Sequence, residues 1–223
     1  MCGRFTLTLY PGELQEKLEL GPFVEMYQPH YNIAPTQSVS VVRDSQSRSI
    51  EQFKWGLIPF WAKDKEIGNR MINARAETLT EKPSFRNLIN KKRCLILADG
   101  FFEWSTLGNS QPKSPYYFQL ENSEPFTFAG LYDEWKPDPE NKILSCTIIT
   151  CTPNELISKY HDRMPVIMPI QSRWDWLNPA ISLPTLLAML SPFPASQMSA
   201  RPVSKLINLP LNDFPEVLDP ITP

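Results

Sequence analysis

The sequence predicts an α+β fold in which antiparallel strands dominate and the helices are short. Apolar or alternating, β-rich segments follow one another with no helical pattern between most of them, which favours antiparallel sheets over a doubly wound parallel sheet. The 23 prolines against 8 glycines favour turns and extended connections over long helices. With 223 residues, 42% of them hydrophobic, the chain can bury one sizeable core. We therefore expect residues 1–223 to form a single domain.

The strand pattern begins close to the N-terminus and recurs through the middle of the chain. Apolar residues alternate with polar ones in the first segments, whereas the segment at 94–98 is continuously apolar. We predict strands over 4–9, 38–42, 50–55, 94–98, 116–120, 126–131, 144–150 and 166–168.

Helical patterns are fewer. In the first, Leu14 and Leu18 are spaced i,i+4, and Gly21-Pro22 ends the helix. We predict helices over 12–20, 84–92, 153–160, 172–177 and 183–190. Segments 107–114 and 136–142 have the composition of hairpin tips or surface loops, and the proline-rich tail 213–223 is either strapped down or frayed.

Several classes of protein are excluded by what the sequence lacks. No apolar run approaches the ~20 residues that a membrane-spanning helix needs, and the N-terminus resembles neither a secretory signal nor a transit peptide. We therefore expect a cytoplasmic protein. No glycine-rich phosphate loop is present, so no nucleotide cofactor is expected. The cysteines form no CxxC pair or His/Cys group, which argues against a metal site or a disulfide framework and favours reduced thiols. They are Cys2, Cys94, Cys146 and Cys151.

Charge is unevenly distributed along the chain. The net charge is −2, which argues against a protein that grips nucleic acid over its whole surface. Residues 60–93 nevertheless hold nine Lys or Arg and four Asp or Glu, a local charge of +5. This stretch is either a basic binding surface or an ordinary solvated helix face.

Cys2 is the residue with the most distinctive chemistry. If Met1 is removed, the chain begins with an α-amine and a thiol on the same residue. Their pKa values of ~8 and ~8.5 leave each a useful reactive fraction at neutral pH. Toward an aldehyde, the amine forms a Schiff base and the thiol can close on the imine carbon to give a thiazolidine. The alternative is an incidental, buried residue near the terminus.

Three further residues are candidates for the same site. Asn73 lies in a stretch, residues 71–77, in which polar residues interrupt the apolar ones, unlike a core strand. Glu103 is surrounded in sequence by Phe101, Phe102 and Trp104, so it is either a partly desolvated acid suited to proton transfer or a surface residue pointing away from the rings. His161 follows a predicted helix and could equally be a structural histidine.

Seven segments together resemble one family, the SOS response-associated peptidases (SRAP). They follow the family's order from the first residue to beyond residue 165. They are MCGRF at 1–5, YNIAPT at 31–36, WGLIP at 55–59, INARAET at 72–78, ADGFFEW at 98–104, residues 127–131 and HDRMP at 161–165.

The resemblance implies an α+β fold around a barrel-like core with short peripheral helices, and a positively charged channel for single-stranded DNA. It also implies that Cys2 forms a thiazolidine crosslink with the aldehyde of an abasic site, which shields the lesion. No cofactor or metal is implied. By position, Asn73 would hold the reacting centre, Glu103 would shuttle protons, and His161 would assist sugar ring opening and crosslink reversal.

The same resemblance assigns DNA contacts. Thr150 would line the pocket, Arg4 and Arg75 match phosphate-contacting positions, and aromatic or apolar residues would stack on bases or wedge between them. The latter are Pro35, Phe60, Trp61 and Trp104. Arg201 stands where the family would more often place His or Tyr, and could contact a phosphate or face solvent.

Three functions remain open from the sequence. The first is an abasic-site sensor acting on single-stranded DNA or on single-strand/double-strand junctions, with possible lyase activity, as a monomer in the cytoplasm or at a bacterial nucleoid. The second is an N-terminal-nucleophile peptidase or amidohydrolase that removes its own Met1. The third is a noncovalent reader of DNA or modified bases.

Overall fold

The computed structural model describes residues 2–105 and 114–221. Within them the chain forms thirteen strands and four α-helices, joined by turns and single turns of 3-10 helix. The strands are β1 (Phe5–Leu7), β2 (His30–Ile33), β3 (Ser38–Val42), β4 (Glu51–Trp55), β5 (Asn73–Arg75), β6 (Arg93–Ala98), β7 (Gly100–Ser105), β8 (Ser114–Leu120), β9 (Phe126–Trp135), β10 (Ile143–Cys151), β11 (Met164–Pro165), β12 (Ile167–Met168) and β13 (Met198–Pro202). The helices are α1 (Pro11–Leu18), α2 (Leu88–Lys91), α3 (Arg173–Leu177) and α4 (Leu183–Ala188).

Five strands close into a barrel. Strand β10 pairs with β4, β4 with β3, β3 with β6, β6 with β9, and β9 pairs back with β10. All these pairs are antiparallel except β4–β10, in which Lys54 lies opposite Ser145. The predicted α+β fold, mainly antiparallel with a barrel-like core and short helices, is confirmed.

Strand β10 extends beyond the barrel and carries two short strands on its outer half. It pairs in parallel with β5, where Ile148 lies opposite Asn73, and antiparallel with β11, where Thr150 lies opposite Pro165. This arrangement brings residues 73–75 and 164–165 to the two edges of the same strand.

A second sheet has the strand order β13–β8–β7–β1–β2 and covers one side of the barrel. Aromatic rings join the two sheets in a shared core. Phe5 of β1 lies 5.0 Å from the ring of Trp55 in β4 and 5.7 Å from that of Phe128 in β9. Phe101 of β7 contacts the same Phe128 ring at 6.1 Å. The strand that follows Cys2 is therefore anchored directly on the barrel.

The eight predicted strands are all present, most within one or two residues of their predicted ends. β2, β5, β7, β11 and β13 were not predicted; three of them are only two to four residues long, too short for a periodic pattern. Residues 107–113 of one predicted loop lie outside the described residues. The other, 136–142, links the antiparallel pair β9 and β10.

The helices are shorter than predicted. Helix α1 begins with Pro11, whose missing N–H costs nothing in a first turn. It ends at Leu18, because the next residue, Glu19, adopts the left-handed conformation with φ of 52°. Only a 3-10 turn, Ile157–Lys159, forms in the segment predicted as helix 153–160. There the Asn154 side chain accepts the N–H of Ile157 at 2.9 Å in the manner of an N-cap, so the helical turn begins after the predicted start at 153.

The C-terminal tail is strapped down as far as residue 221. Val217 is fully buried, and Val203 forms an isolated bridge with Pro220. Asp213 accepts the backbone N–H groups of Tyr31 and Asn32 at 2.5 and 2.9 Å. These contacts fasten residues 203–219, hereafter the C-terminal strap, against β2.

Candidate active site

Cys2 is fully buried and is held by contacts on both sides. The side-chain amide of Asn73 donates to the Cys2 carbonyl at 2.8 Å, and the Cys2 thiol points at the carbonyl of Arg4 with Sγ at 3.9 Å. Asn73 is itself fixed by the pairing of β5 with β10. The structure therefore brings two of the four predicted catalytic residues into direct contact.

Glu103 lies on the core side of β7. Alternation along the strand places Phe102 and Trp104 in a separate apolar cluster on the other face, while Phe101 belongs to the same core as Cys2. Glu103 is only 4% exposed. Glu103 is therefore buried, as in the first of the two interpretations left open by the sequence, but it points away from Phe102 and Trp104, and its part in proton transfer stays a prediction.

The thiol of Cys2 is neutral in this environment. Burial raises the pKa of Cys2 well above its ordinary value, and the nearby negative charge of Glu103 raises this pKa further. A buried thiol beside a carboxylate is a poor thiolate but has a proton acceptor close to it. Any reaction of Cys2 at neutral pH must therefore move the thiol proton as the sulfur bonds.

His161 follows the 3-10 turn Ile157–Lys159, and its Nδ1 has two close neighbours. The backbone N–H of Arg163 lies 2.9 Å from Nδ1, and a carboxylate oxygen of Asp162 lies at 2.8 Å. A neutral ring accepts from Arg163 with its own proton on Nε2, whereas a protonated ring donates from Nδ1 to Asp162. The two contacts therefore differ in whether Nδ1 carries a proton, as it does in the Nδ1–H tautomer and in the charged ring.

Ring contacts connect the His161 turn to the strand of Glu103. Tyr160 packs on Tyr116 with ring centroids 4.6 Å apart, and Tyr116 is the cross-strand partner of Glu103 in the β7–β8 pair. On the other side, Arg163 donates to the carbonyl of Thr150 at 2.6 Å. Thr150 is buried and lies beside Arg75 in the β5–β10 pair.

The ion pair of Arg163 with Glu77 was not predicted. The two nitrogens Nη1 and Nη2 of Arg163 meet the two oxygens of Glu77 at 2.7 and 2.9 Å. This pair lowers the pKa of Glu77. Both residues lie in segments that the sequence singled out, 72–78 and 161–165, and their opposite charges are the only signal that could have paired them.

The predicted stacking residues Phe60 and Trp61 form an exposed aromatic pair on the loop after β4. Their exposed fractions are 62% and 48%. Two residues of β9 hold the backbone of this loop. Asp133 accepts the N–H of Phe60 at 2.8 Å, and Trp135 donates to the carbonyl of Ala62 at 2.7 Å. The two rings are thus presented to solvent on a fixed backbone.

The other predicted DNA contacts differ in their surroundings. Arg75 is exposed, and Pro35 is half-buried. Arg4 and Trp104 instead contact the C-terminal strap: Arg4 donates to the carbonyl of Ile207 at 2.8 Å, and Trp104 donates to the side chain of Asn208 at 2.7 Å. The guanidinium of Arg4 lies 5.9 Å from the Trp104 ring centroid.

Arg201 is half-buried and is tied to the protein by its guanidinium. Its guanidinium donates to the carbonyl of Leu218 and lies 5.2 Å from the ring centroid of Tyr117. It fastens the end of the C-terminal strap to β8.

Among the described residues, no group of three or more His, Cys, Asp or Glu side chains is arranged to hold a metal ion. Nor does any helix of the described chain have the length and apolarity to cross a bilayer.

Comparison with known proteins decides the family. Residues 1–210 match the family model described as SOS response associated peptidase (SRAP). The chain belongs to the SRAP family. This SRAP protein is 45% identical over 223 residues to the abasic site processing protein YoqW of Bacillus subtilis, covering 98% of this chain and 99% of that one.

More distant relatives agree. The SRAP protein is 34% identical to the abasic site processing protein HMCES of Gallus gallus, covering 87% of this chain and 67% of that one. Among solved structures, a protein from Bacteroides thetaiotaomicron matches with a TM-score of 0.88 and 28% identity, and the match covers 99% of this chain and 100% of that one. The predicted membership of the SRAP family is confirmed.

Proposed function

We propose that this protein processes abasic sites in single-stranded DNA by bonding covalently to them through Cys2, after removal of Met1. The observation that carries the proposal is the buried Cys2, held by Asn73 next to the charge of Glu103. This arrangement occurs in a chain 45% identical to a protein named for abasic site processing.

The reaction begins at the sugar aldehyde. The α-amine of Cys2 attacks the C1′ carbonyl of the ring-opened sugar, and loss of water gives an imine. The Cys2 sulfur then adds to the imine carbon, and the thiol proton passes to the imine nitrogen, closing a thiazolidine. No oxidant or cofactor is needed. Because the thiol is neutral, ring closure requires a proton carrier, and we assign this role to the carboxylate of Glu103, whose charge acts on the Cys2 thiol.

Asn73 supports the reacting centre in two ways. Its Nδ2 fixes the carbonyl of Cys2, while its buried Oδ1 accepts no hydrogen bond within the described part of the chain. A buried acceptor without a donor is costly unless a ligand completes it. We assign Oδ1 to a donor that arrives with the reaction, either the freed α-amine of Cys2 or a hydroxyl of the opened sugar.

The remaining residues act on proton transfer and DNA binding. We assign sugar ring opening and crosslink reversal to His161, whose Nδ1 has both a backbone N–H and a carboxylate oxygen within hydrogen-bond distance. The exposed Arg75 would meet phosphates and the exposed Phe60–Trp61 pair would stack on bases, worth about 1–3 kcal/mol per base. An unstacked strand exposes an abasic sugar without base flipping, which favours single-stranded DNA.

The test uses a single-stranded oligonucleotide with one abasic site. Purified protein is expected to give a heat-stable shifted band on a denaturing gel, and Cys2→Ala to abolish it. Cys151→Ala, which removes another buried thiol, is the matched control and should retain the band. A Cys2→Ala variant that still forms the same stable adduct would overturn the proposal. Cys2→Ser should stop at the imine, which borohydride traps, and should favour strand cleavage.

The family description contains the word peptidase, which motivates a second activity, removal of Met1 by the protein itself. The buried pair of Cys2 and Glu103 provides a nucleophile and a proton acceptor for such a step. Intact mass of Glu103→Ala decides it: retained Met1 supports self-processing, whereas complete removal assigns the step to a cellular aminopeptidase.

A further inference from the structure

We infer that Asn32 and the C-terminal strap are positioning elements for Cys2, acting through the side chain of Arg4. This inference rests on the proposed function. It assigns roles to Asn32 and to the C-terminal strap, residues 203–219, which are remote in sequence from Cys2. The main role of Arg4 is therefore to anchor the N-terminal segment, and binding of DNA phosphate is secondary.

Asn32 links the strap to the N-terminal segment. Its side chain is fully buried, and its Oδ1 accepts from Nη1 of Arg4 at 2.6 Å. Its Nδ2 faces three carbonyls of the strap, those of Ile207 at 3.3 Å, Leu209 at 3.0 Å and Asn212 at 2.8 Å. A buried amide satisfied on both ends specifies one geometry, because each group would be costly to leave unpaired.

Arg4 is held at both ends as a result. Its Nη1 also donates to the carbonyl of Ile207 at 2.8 Å, and its Nη2 approaches that of Asn208 at 3.5 Å. Its backbone carbonyl accepts the N–H of Phe102 at 3.0 Å and faces the thiol of Cys2. The side chain is thus tied to the strap and the backbone to β7.

Cys2 lies between this anchor and Asn73. With Asn73 on the Cys2 carbonyl and Arg4 two residues further on, neither end of the N-terminal segment can shift without breaking buried hydrogen bonds. Reactions of this kind depend on near-attack geometry, in which a displacement of about 1 Å can cost about 100-fold in rate. The strap therefore contributes to the rate of crosslinking although none of its residues touches Cys2 in the contacts described.

The strap also orients Trp104. Asn208 Oδ1 accepts the indole N–H at 2.7 Å, so the plane of the ring is set by the strap. Arg4 and Trp104 thus share one support, and both Nη nitrogens of Arg4 are occupied by protein oxygens. A phosphate would have to compete with Asn32 and Ile207 for Nη1, whereas Nη2 has only the 3.5 Å contact to Asn208, so the firm contacts of Arg4 are those of an anchor.

The kinetic test separates positioning from binding. Crosslinking to abasic single-stranded DNA is measured in single turnover at saturating protein, and Kd is measured with the unreactive tetrahydrofuran analogue. Asn32→Ala is expected to lower the saturating rate at least about tenfold with Kd changed less than about threefold. Asn178→Ala is the control for loss of an Asn side-chain hydrogen bond, since it removes an exposed turn contact to Ala180, remote in sequence from the strap, and should change neither value.

Arg4→Lys provides a variant that keeps the charge and is less disruptive to folding. A phosphate ligand would largely survive this change, whereas the forked contacts to Asn32 and Ile207 would not. We expect a saturating rate reduced about tenfold with Kd nearly unchanged. A wild-type saturating rate, or a loss confined to Kd, would overturn the inference.

Amide hydrogen exchange tests the anchor without any reaction. Asn32→Ala and Arg4→Lys should accelerate exchange of the Phe102 N–H, which donates to Arg4, relative to wild type and Asn178→Ala. Unchanged exchange at Phe102 would refute the anchor even if crosslinking were slower. If the wild-type protein forms no crosslink, the proposed function fails while this measurement still decides the anchor.

Discussion

A methyl group added at Gly100 should strongly destabilise the protein. A Cβ built at this position would lie 2.1 Å from Oη, 2.2 Å from Cζ and 2.4 Å from Cε2 of Tyr117. Tyr117 cannot easily move, because it is 4% exposed, its hydroxyl lies 3.0 Å from Oγ1 of Thr6, and Arg201 covers its ring. The β7 backbone, which also carries Glu103, must therefore shift instead.

The magnitude follows from the overlap. Overpacking in a core costs typically about 1–3 kcal/mol, and three contacts below 2.5 Å place Gly100→Ala at about 3 kcal/mol or more. For a chain of this size, roughly 2–4 °C of Tm is lost per kcal/mol, so Tm should fall by roughly 6–12 °C in thermal unfolding followed by circular dichroism.

A control and a double-mutant cycle make the prediction specific to Tyr117. Gly12 lies in α1 with nothing within 4 Å of its built Cβ, so Gly12→Ala should be neutral or stabilise by up to about 1 kcal/mol. In a Tyr117→Ala background the cost of Gly100→Ala should fall by about 2 kcal/mol. An unchanged Tm for Gly100→Ala, or the same penalty with and without the Tyr117 ring, would refute this reasoning.

Three further predictions concern buried or paired polar groups. Asn73→Ala leaves the buried carbonyl of Cys2 without its donor, so urea unfolding should show a loss of about 1–3 kcal/mol; an unchanged midpoint would contradict this. Burial raises the pKa of Asp99 above its ordinary 3.8, so the folded protein holds that proton more tightly. Stability should therefore fall as pH rises from 3.8 through the raised pKa, and Asp99→Asn should flatten this part of the urea-midpoint profile. Arg163 lowers the pKa of Glu77, so their pair should contribute above pH 4.5 and be lost on acidification. Because Glu77 is half exposed, Glu77→Gln should cost at most about 1 kcal/mol near pH 7.

Much of the fold could be predicted because its strands carry local signals. Segments such as 38–42 and 94–98 have the alternation or continuous apolarity of half-buried and fully buried strands, and they form where expected. The closure of the barrel could not be predicted in the same way. Its closing pair joins Lys54 to Ser145 in parallel, and no local pattern encodes a partner so far along the chain.

The candidate site, like the fold, could be predicted only where single residues or short segments carry a signal. Cys2, Asn73 and Glu103 could be singled out by residue chemistry and family resemblance, and the structure brings Cys2 into contact with Asn73 and under the charge of Glu103. The surroundings of Arg4 could not be anticipated, because the two backbone carbonyls that accept from it lie more than 200 residues away. Asn32 lies in the segment 31–36 used for the family resemblance, but its role could not be predicted because three of its four contacts are to distant backbone carbonyls, which any sequence supplies.

The C-terminal strap also has a consequence for biosynthesis. During translation, Arg4 emerges from the ribosome long before residues 207 and 208, its acceptors in the folded chain. A growing polypeptide therefore exposes its leading residues to processing enzymes while they are still unanchored, and fixes them only when the last segment arrives.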